Sequence, residues 1–224
     1  MDQPPECSPP SGSAPRQAIA RRTREAIKQG RRDAIIAIAR RMFLELGYAD
    51  TSMSAIAAEL GGSKGTLWAH FASKDALFAA VVTTAAEDFR SHLIALFQPC
   101  EDLEATLLSF ARAFISTLVA PSILGLHRIV VSESIRHPEI GAIFYESAPF
   151  ATQTALSRFL EQQVEAGRLQ IDDPWAAGRA FLRLCIGPQQ QALWGRPVLQ
   201  STELDREAEF AVTTFLKAFG TASR

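Results

Sequence analysis

From residue 35 to residue 219 the apolar side chains recur at intervals of three and four, and no stretch alternates with a period of two. An α-helix places positions i, i+3, i+4 and i+7 on one face, so this spacing restricts the chain to an all-α fold. In the first such segment Ile35, Ile38, Ala39, Met42, Phe43 and Leu46 share a face, and Gly47 stops the helix. Ser52 is the expected N-cap of a short second helix with Met53, Ile56, Ala57 and Leu60 inward. Gly61 and Gly62 break the chain, and Ser63 caps a third helix running from Lys64 to about Phe71, with Leu67 and Phe71 inward. Ser73 opens a long fourth helix whose face of Phe78, Val82, Ala85, Phe89, Leu93 and Leu96 lasts until Pro99.

Five more helices follow. They cover 103–120, closed by Pro121; 123–136, closed before Pro138; and 139–165, kinked at Pro149 and ended by Gly167. Another opens at Asp173-Pro174, bends at Gly187-Pro188 and runs to Trp194, and the last covers 204–219 before Gly220. Three regions are expected: a disordered or basic extension over 1–30, a helical head over 31–80 and a helical body over 81–224. Residues 1–15 are too rich in Pro, Ser and Gly to order and hold no apolar signal region. The longest uncharged stretch, residues 113–126, is too short for a bilayer, which needs about 18. With three distant cysteines (Cys7, Cys100, Cys185), no disulfide framework or zinc site is expected, and the chain reads as cytoplasmic.

The net charge of −1 conceals an asymmetry. Between Arg16 and Arg41 nine basic residues face only Glu25 and Asp33, a net +7, while residues 75–224 carry a net −5. A basic front suits a polyanion. Within it, two short helices separated by a Gly-containing turn have the geometry of a helix-turn-helix, whose second helix enters the major groove. The residue types fit. Lys64 offers charge to phosphate or guanine, Gly65 allows close backbone approach, and Thr66 can touch a base edge or a thymine methyl. Ser52, Ser54 and Ser63 lie at the exposed starts of the two helices, Trp68 and His70 can donate to the backbone, and Lys74 is a further phosphate partner. The Gly61–Gly65 run lacks the spacing of a phosphate-binding loop, and no strand precedes it.

The run TSMSAIAAELGGSKGTLWAHFASKDALF, residues 51–78, resembles the signature of the TetR family of transcriptional regulators. The resemblance covers residues 31–80. It departs from the family pattern at Gly62, where Val is usual, and at Trp68, where Tyr is usual, which bears on base preference. Residues 165–181 and 210–219 are similar, less closely, to the C-terminal domain of AefR-like members. The resemblance implies a DNA-binding head and a C-terminal domain that dimerises and binds a small molecule. The function expected is therefore a repressor released from a palindromic, double-stranded DNA operator by an effector. The alternative is a helical small-molecule or lipid carrier with a vestigial head.

Spare apolar faces on the last two helices suit a homodimer interface. A mostly apolar or aromatic effector is expected, with Phe110, Phe114, Leu118, His127, Phe144, Tyr145, Phe181, Gln189 and Trp194 as candidate contacts; core packing is the competing role for each. Glu133 and His137, four apart, read as a helix-surface charge pair rather than metal ligands, and Cys185 as a buried thiol. No nucleophile or metalloprotease motif occurs, so no enzyme, metal or cofactor is expected, nor a membrane partner.

The stretch 16–30 reads either as an arm or helical extension on the DNA backbone or as a solvated charge run. If it holds phosphates, deleting residues 1–28 weakens binding to every duplex alike and flattens the dependence of log K on log salt, because fewer counterions are released. An unchanged slope assigns the run to solvated charge.

Overall fold

The computed structural model describes residues 14–61, 64–97 and 102–221. Among them are eleven α-helices, one π-helical turn and no strand; Leu169 and Gly220 form an isolated β-bridge. Of the expected disordered tail over 1–15, residues 1–13 lie outside the described residues, as do Gly62, Ser63, Pro99 and Cys100, while Ala14 and Pro15 open α1 rather than being disordered.

Helix α1 (Ala14–Asp50) begins well before the first apolar stripe, so the basic stretch is a helical extension, and residues 22–31 of it are exposed. Its apolar stripe buries Ile35, Ile36, Ala39, Met42 and Phe43. Gly47 interrupts the helix at φ +83°, a left-handed conformation that a side chain would strain. Helix α2 (Met53–Glu59) is capped by Ser52, whose hydroxyl accepts from the Ala55 N–H at 3.1 Å. Helix α3 (Lys64–His70) follows the turn, and α4 (Lys74–Ile94) is capped by Ser73 at 3.0 Å from the Ala76 N–H. At about 1.5 Å per residue α4 is roughly 32 Å long, enough to join the two ends of the molecule.

In the body, α5 (Leu103–Leu118) is capped by Asp102, and α6 (Pro121–Glu133) has Pro121 in its first turn. Pro121 thus opens a helix as well as ending the one before, since the missing N–H is unneeded there. The expected long helix over 139–165 is two helices, α7 (Pro138–Tyr145) and α8 (Ala151–Glu165), joined by a π turn over Glu146–Phe150 that contains Pro149. The proline ring excludes the carbonyl one turn back, and widening the turn accommodates it. Asp173 caps α9 (Pro174–Cys185), and the break at Gly187-Pro188 starts α10 (Gly187–Leu193). The last helix is α11 (Ser201–Phe219).

Two apolar cores form. One joins α1 to α4 through Phe43, Tyr48 and Phe78, whose rings lie 5.1–5.6 Å apart, and it also takes in Leu126, Val130 and Ile140 from α6 and α7. The close approach of α6 to α1 depends on Gly125, where a Cβ would lie 2.8 Å from Leu44 Cδ2. The second core is a run of phenylalanines: Phe89, Phe114, Phe110, Phe97 and Phe159 in successive stacked contacts, with Phe181, Phe215 and Phe219 continuing it into α9 and α11. The predicted Glu133–His137 pair is not what forms. His137 precedes α7, where its Nδ1 lies 3.3 Å from Glu139 and 3.8 Å from Asp75, because the break before Pro138 carries it off the α6 face.

Phe110 and Phe181 are fully buried in the phenylalanine core. Phe110→Ala should destabilise the protein by about 3–5 kcal/mol in denaturant unfolding, the usual result of emptying a buried aromatic site. A loss below about 1 kcal/mol would show that Phe110 is not core.

Candidate nucleic-acid interface and effector cavity

Leu67 and Phe71 point α3 inward and fix which side it exposes. At 100° per residue Gly65 and Ala69 lie opposite that face and Trp68 lies on its flank; all three are exposed, with Trp68 half accessible at 50%. Lys64 is the first residue of α3. Thr66 and His70 are half-buried at the flanks of this side, and Ser54 is exposed on α2 beside Ser52, the α2 cap. Ser52, Ser54, Gly65 and Trp68 are thus all exposed on the two short helices, and Ser63 lies outside the described residues. Sequence reading missed Lys28 and Arg32 as neighbours of α3. Both line a depression on α1 together with Ala69 and His70, and the Arg32 guanidinium stacks 5.1 Å from the Phe71 ring centroid. The basic extension thus runs alongside the recognition helix.

Lys74 has an unforeseen role. Its ammonium donates to the carbonyls of Tyr48, at 2.9 Å, and Ala49, at 3.3 Å, and sits 4.3 Å over the Tyr48 ring centroid. Thr51 donates to the Gly47 carbonyl at 2.7 Å, so a lysine and a threonine together satisfy the open carbonyls at the end of α1. The Tyr48 hydroxyl donates to Asp75. Burial and the Asp75 carboxylate together raise the Tyr48 pKa far above the ordinary phenol range, so it remains a donor. Lys74, expected as a phosphate partner, thus has a structural engagement at the end of α1 that the sequence reading did not include. Charge and spacing alone did not reveal acceptors 25 and 26 residues away.

A cavity of about 540 Å³ lies between the two cores. Six of the nine candidate contacts line it: Phe114, Leu118, His127, Phe144, Tyr145 and Gln189. Three do not. Phe110 and Phe181 are core residues, and Trp194 is 78% exposed where α10 ends. The His127 ring meets the Phe144 ring edge-on at 5.4 Å, and its Nδ1 accepts from the Gln189 side-chain amide N–H at 3.3 Å. Burial lowers the His127 pKa, so the ring is neutral at pH 7. Sequence reading missed Thr152, Arg179 and Arg183 at the wall. The Thr152 hydroxyl is buried with no hydrogen-bond partner among the described residues. The available signal for the arginines was their i, i+4 spacing on a helix with an otherwise apolar face. Cys185 is buried, and burial pushes its thiol up to about 12, an unreactive state.

An exposed recognition helix beside a basic helix, joined by α4 to a helical body with an apolar cavity, defines a helix-turn-helix DNA-binding protein with a sensing domain. Residues 35–81 match the family described as bacterial regulatory proteins, tetR family, and residues 105–221 match the AefR-like transcriptional repressor, C-terminal domain. The chain belongs to the TetR family and is a DNA-binding transcriptional regulator with a repressor-type C-terminal domain. It is 28% identical to the HTH-type transcriptional regulator UidR of Escherichia coli K12 over 189 residues, covering 82% of this chain and 88% of that one. A TetR-family regulator from Mesorhizobium loti superposes with a TM-score of 0.82 at 27% identity, over 87% of this chain and 98% of that one. The flavonoid-responsive regulator FrrA does so at 0.71 and 35% identity, over 87% and 100%. The carrier alternative is not favoured, since the match includes the DNA-reading head. Among the described residues no single helix is long and apolar enough to cross a membrane.

Trp68 and Lys74 should separate in their effects. Trp68→Ala changes stability by less than about 0.5 kcal/mol, as exposed positions do, and weakens binding to DNA. Lys74→Met costs about 1–2 kcal/mol of stability through its two charge-assisted hydrogen bonds. Denaturant melts and fluorescence anisotropy on DNA measure both.

Proposed function

We propose that the protein is a homodimeric repressor that binds a palindromic operator and releases it when a planar, mostly apolar or aromatic effector fills the cavity. The observation carrying this reading is the cavity's position. Val82, Ala85 and Leu126 belong to the core that holds the DNA-reading end, Phe114 belongs to the phenylalanine core, and all four line the cavity. A ligand there acts directly on side chains that set where the head sits. A ten- to hundred-fold preference for the conformer that cannot bind operator supplies about 1.4–2.7 kcal/mol of coupling.

On DNA, Lys64, Gly65 and Thr66 face the major groove, while Ser52, Ser54, Ser63, Trp68 and His70 hold the backbone, with Lys28 and Arg32 beside them. Residues 31–80 serve as the reading domain and 81–224 as the sensing and dimerising domain. The dimer forms through the last helices. Phe210 on α11 is 62% exposed, and Trp194 extends from the end of α10, so both offer large apolar surface where a partner would cover it. An aromatic effector is supported by the phenylalanines around the cavity and by FrrA, the flavonoid-responsive relative. The protein acts in the cytoplasm, where the DNA is, and carries out no catalysis.

The test is selection of bound duplexes from a random library by the full chain at about 150 mM salt. The expected product is a palindrome with half-sites about 34 Å apart, one turn of DNA or a multiple of it. Enrichment of an asymmetric single site would rule out the dimeric reader, and salt-sensitive binding with no enrichment would rule out sequence reading.

A further inference from the structure

We propose that the cavity selects an aromatic acid: a planar ring system lying among Phe89, Phe114 and Phe144, with an ionised carboxylate or phenolate held by Arg179 and Arg183. The inference rests on the reading of this cavity as the effector site and adds the chemistry of what enters it.

The wall is electrostatically one-sided. Arg179 and Arg183 both line the cavity, and no aspartate or glutamate does. The two arginines stand four residues apart on α9, hence on one side of it, with their exposed guanidiniums at the cavity's edge. Neither has a hydrogen-bond or ion-pair partner among the described residues. A guanidinium presents paired N–H donors that match a carboxylate. Beside apolar walls that attraction is less screened than in water. A cationic ligand meets the reverse situation: it gives up its hydration, finds no carboxylate and faces two positive charges.

The remaining polar groups are neutral and suit ring substituents. The Thr152 hydroxyl, in a residue only 3% exposed, has no partner among the described residues, and a hydroxyl or carbonyl on the ring would supply one. On α6 and α10, His127 and Gln189 form a neutral pair, because burial disfavours the imidazolium. The three phenylalanines bring aromatic faces from α4, α5 and α7, which a flat ring fills better than a flexible chain does.

Titration calorimetry of the full chain at pH 7 with four naphthalenes of shared ring body tests this: 2-naphthoate, an ionised nitronaphtholate, 2-naphthalenemethanol and 2-naphthylmethylammonium. At least one anion should bind ten-fold or more tightly than the alcohol, with the ammonium weakest. Preference for one anion alone narrows the class to carboxylates or to phenolates. In the double variant Arg179→Gln, Arg183→Gln the anion should lose at least ten-fold, while the alcohol stays within two-fold and so reports an intact cavity. The proposal is overturned if the ammonium equals the anions, if neither anion binds, or if the preference survives in the double variant. Operator release is read separately by anisotropy. Anion-selective binding without release overturns the repressor reading alone, and release by uncharged compounds with no anion preference overturns this inference alone.

Discussion

Leu126, Val130 and Ile140 complete a core that the DNA-reading end cannot complete by itself. A segment of about 50 residues buries too small a fraction of its surface to be securely stable alone. Here the shortfall is met by α6 and α7, which lie against α1 and α4. The borrowing has a functional consequence. Whatever moves α6 or α7 moves side chains inside the head's own core, and packed cores shift between discrete arrangements more readily than they deform smoothly. Gly125, pressed against Leu44, and the Arg40 guanidinium, which donates to the Ser122 hydroxyl at 3.3 Å, tie the same two helices together.

The polar junction follows the same geometry. Lys74 and Thr51 close the end of α1, Tyr48 donates to Asp75, and His137 packs its ring 5.9 Å from that of Tyr48 while facing Asp75. His137 stands just before α7, and the other end of α7 presents Phe144 and Tyr145 to the cavity. One eight-residue helix therefore touches both the cavity and the contacts that fix α4 immediately after the recognition helix.

What was legible in the sequence is what is decided locally. Ser52, Ser73 and Asp173 cap their helices because a cap needs only its own next three residues. Leu67 and Phe71 turned inward as their spacing required, and Pro149 broke the helix that ran through it. The cavity was only partly legible. Phe110 and Phe114 sit one turn apart on the same helix, yet only Phe114 lines the cavity, and which of them does is decided by α8, α9 and α11 rather than by α5. Trp194, a candidate contact by its aromatic character, lies past the end of α10, outside any packed face. Lys74, His137 and the arginines of α9 owe their roles to neighbours distant in sequence, and periodicity carries no such information.

The contrast between the two cores indicates where the work done by a ligand goes. On the body side, the rings from Phe89 to Phe219 meet at 4.6–6.1 Å, stacked, tilted or edge-on, through several helices, and ion pairs from Arg112 to Asp205 and Glu209 tie α5 to α11. Interlocked aromatic packing of this kind resists displacement, because each ring that moves forces its neighbours off their rotamers. On the other side, the wall contains Val82, Ala85 and Ala86 of α4 and the π turn around Pro149, where small side chains and an irregular backbone offer fewer obstacles. In the proposed release, a ligand larger than the resting space would therefore meet least resistance at these small residues of α4, although Phe89 of the same helix belongs to the phenylalanine run. Because α4 starts at Lys74, four residues after α3 ends at His70, a shift of its N-terminal half would pass to the DNA-reading surface through the helix itself.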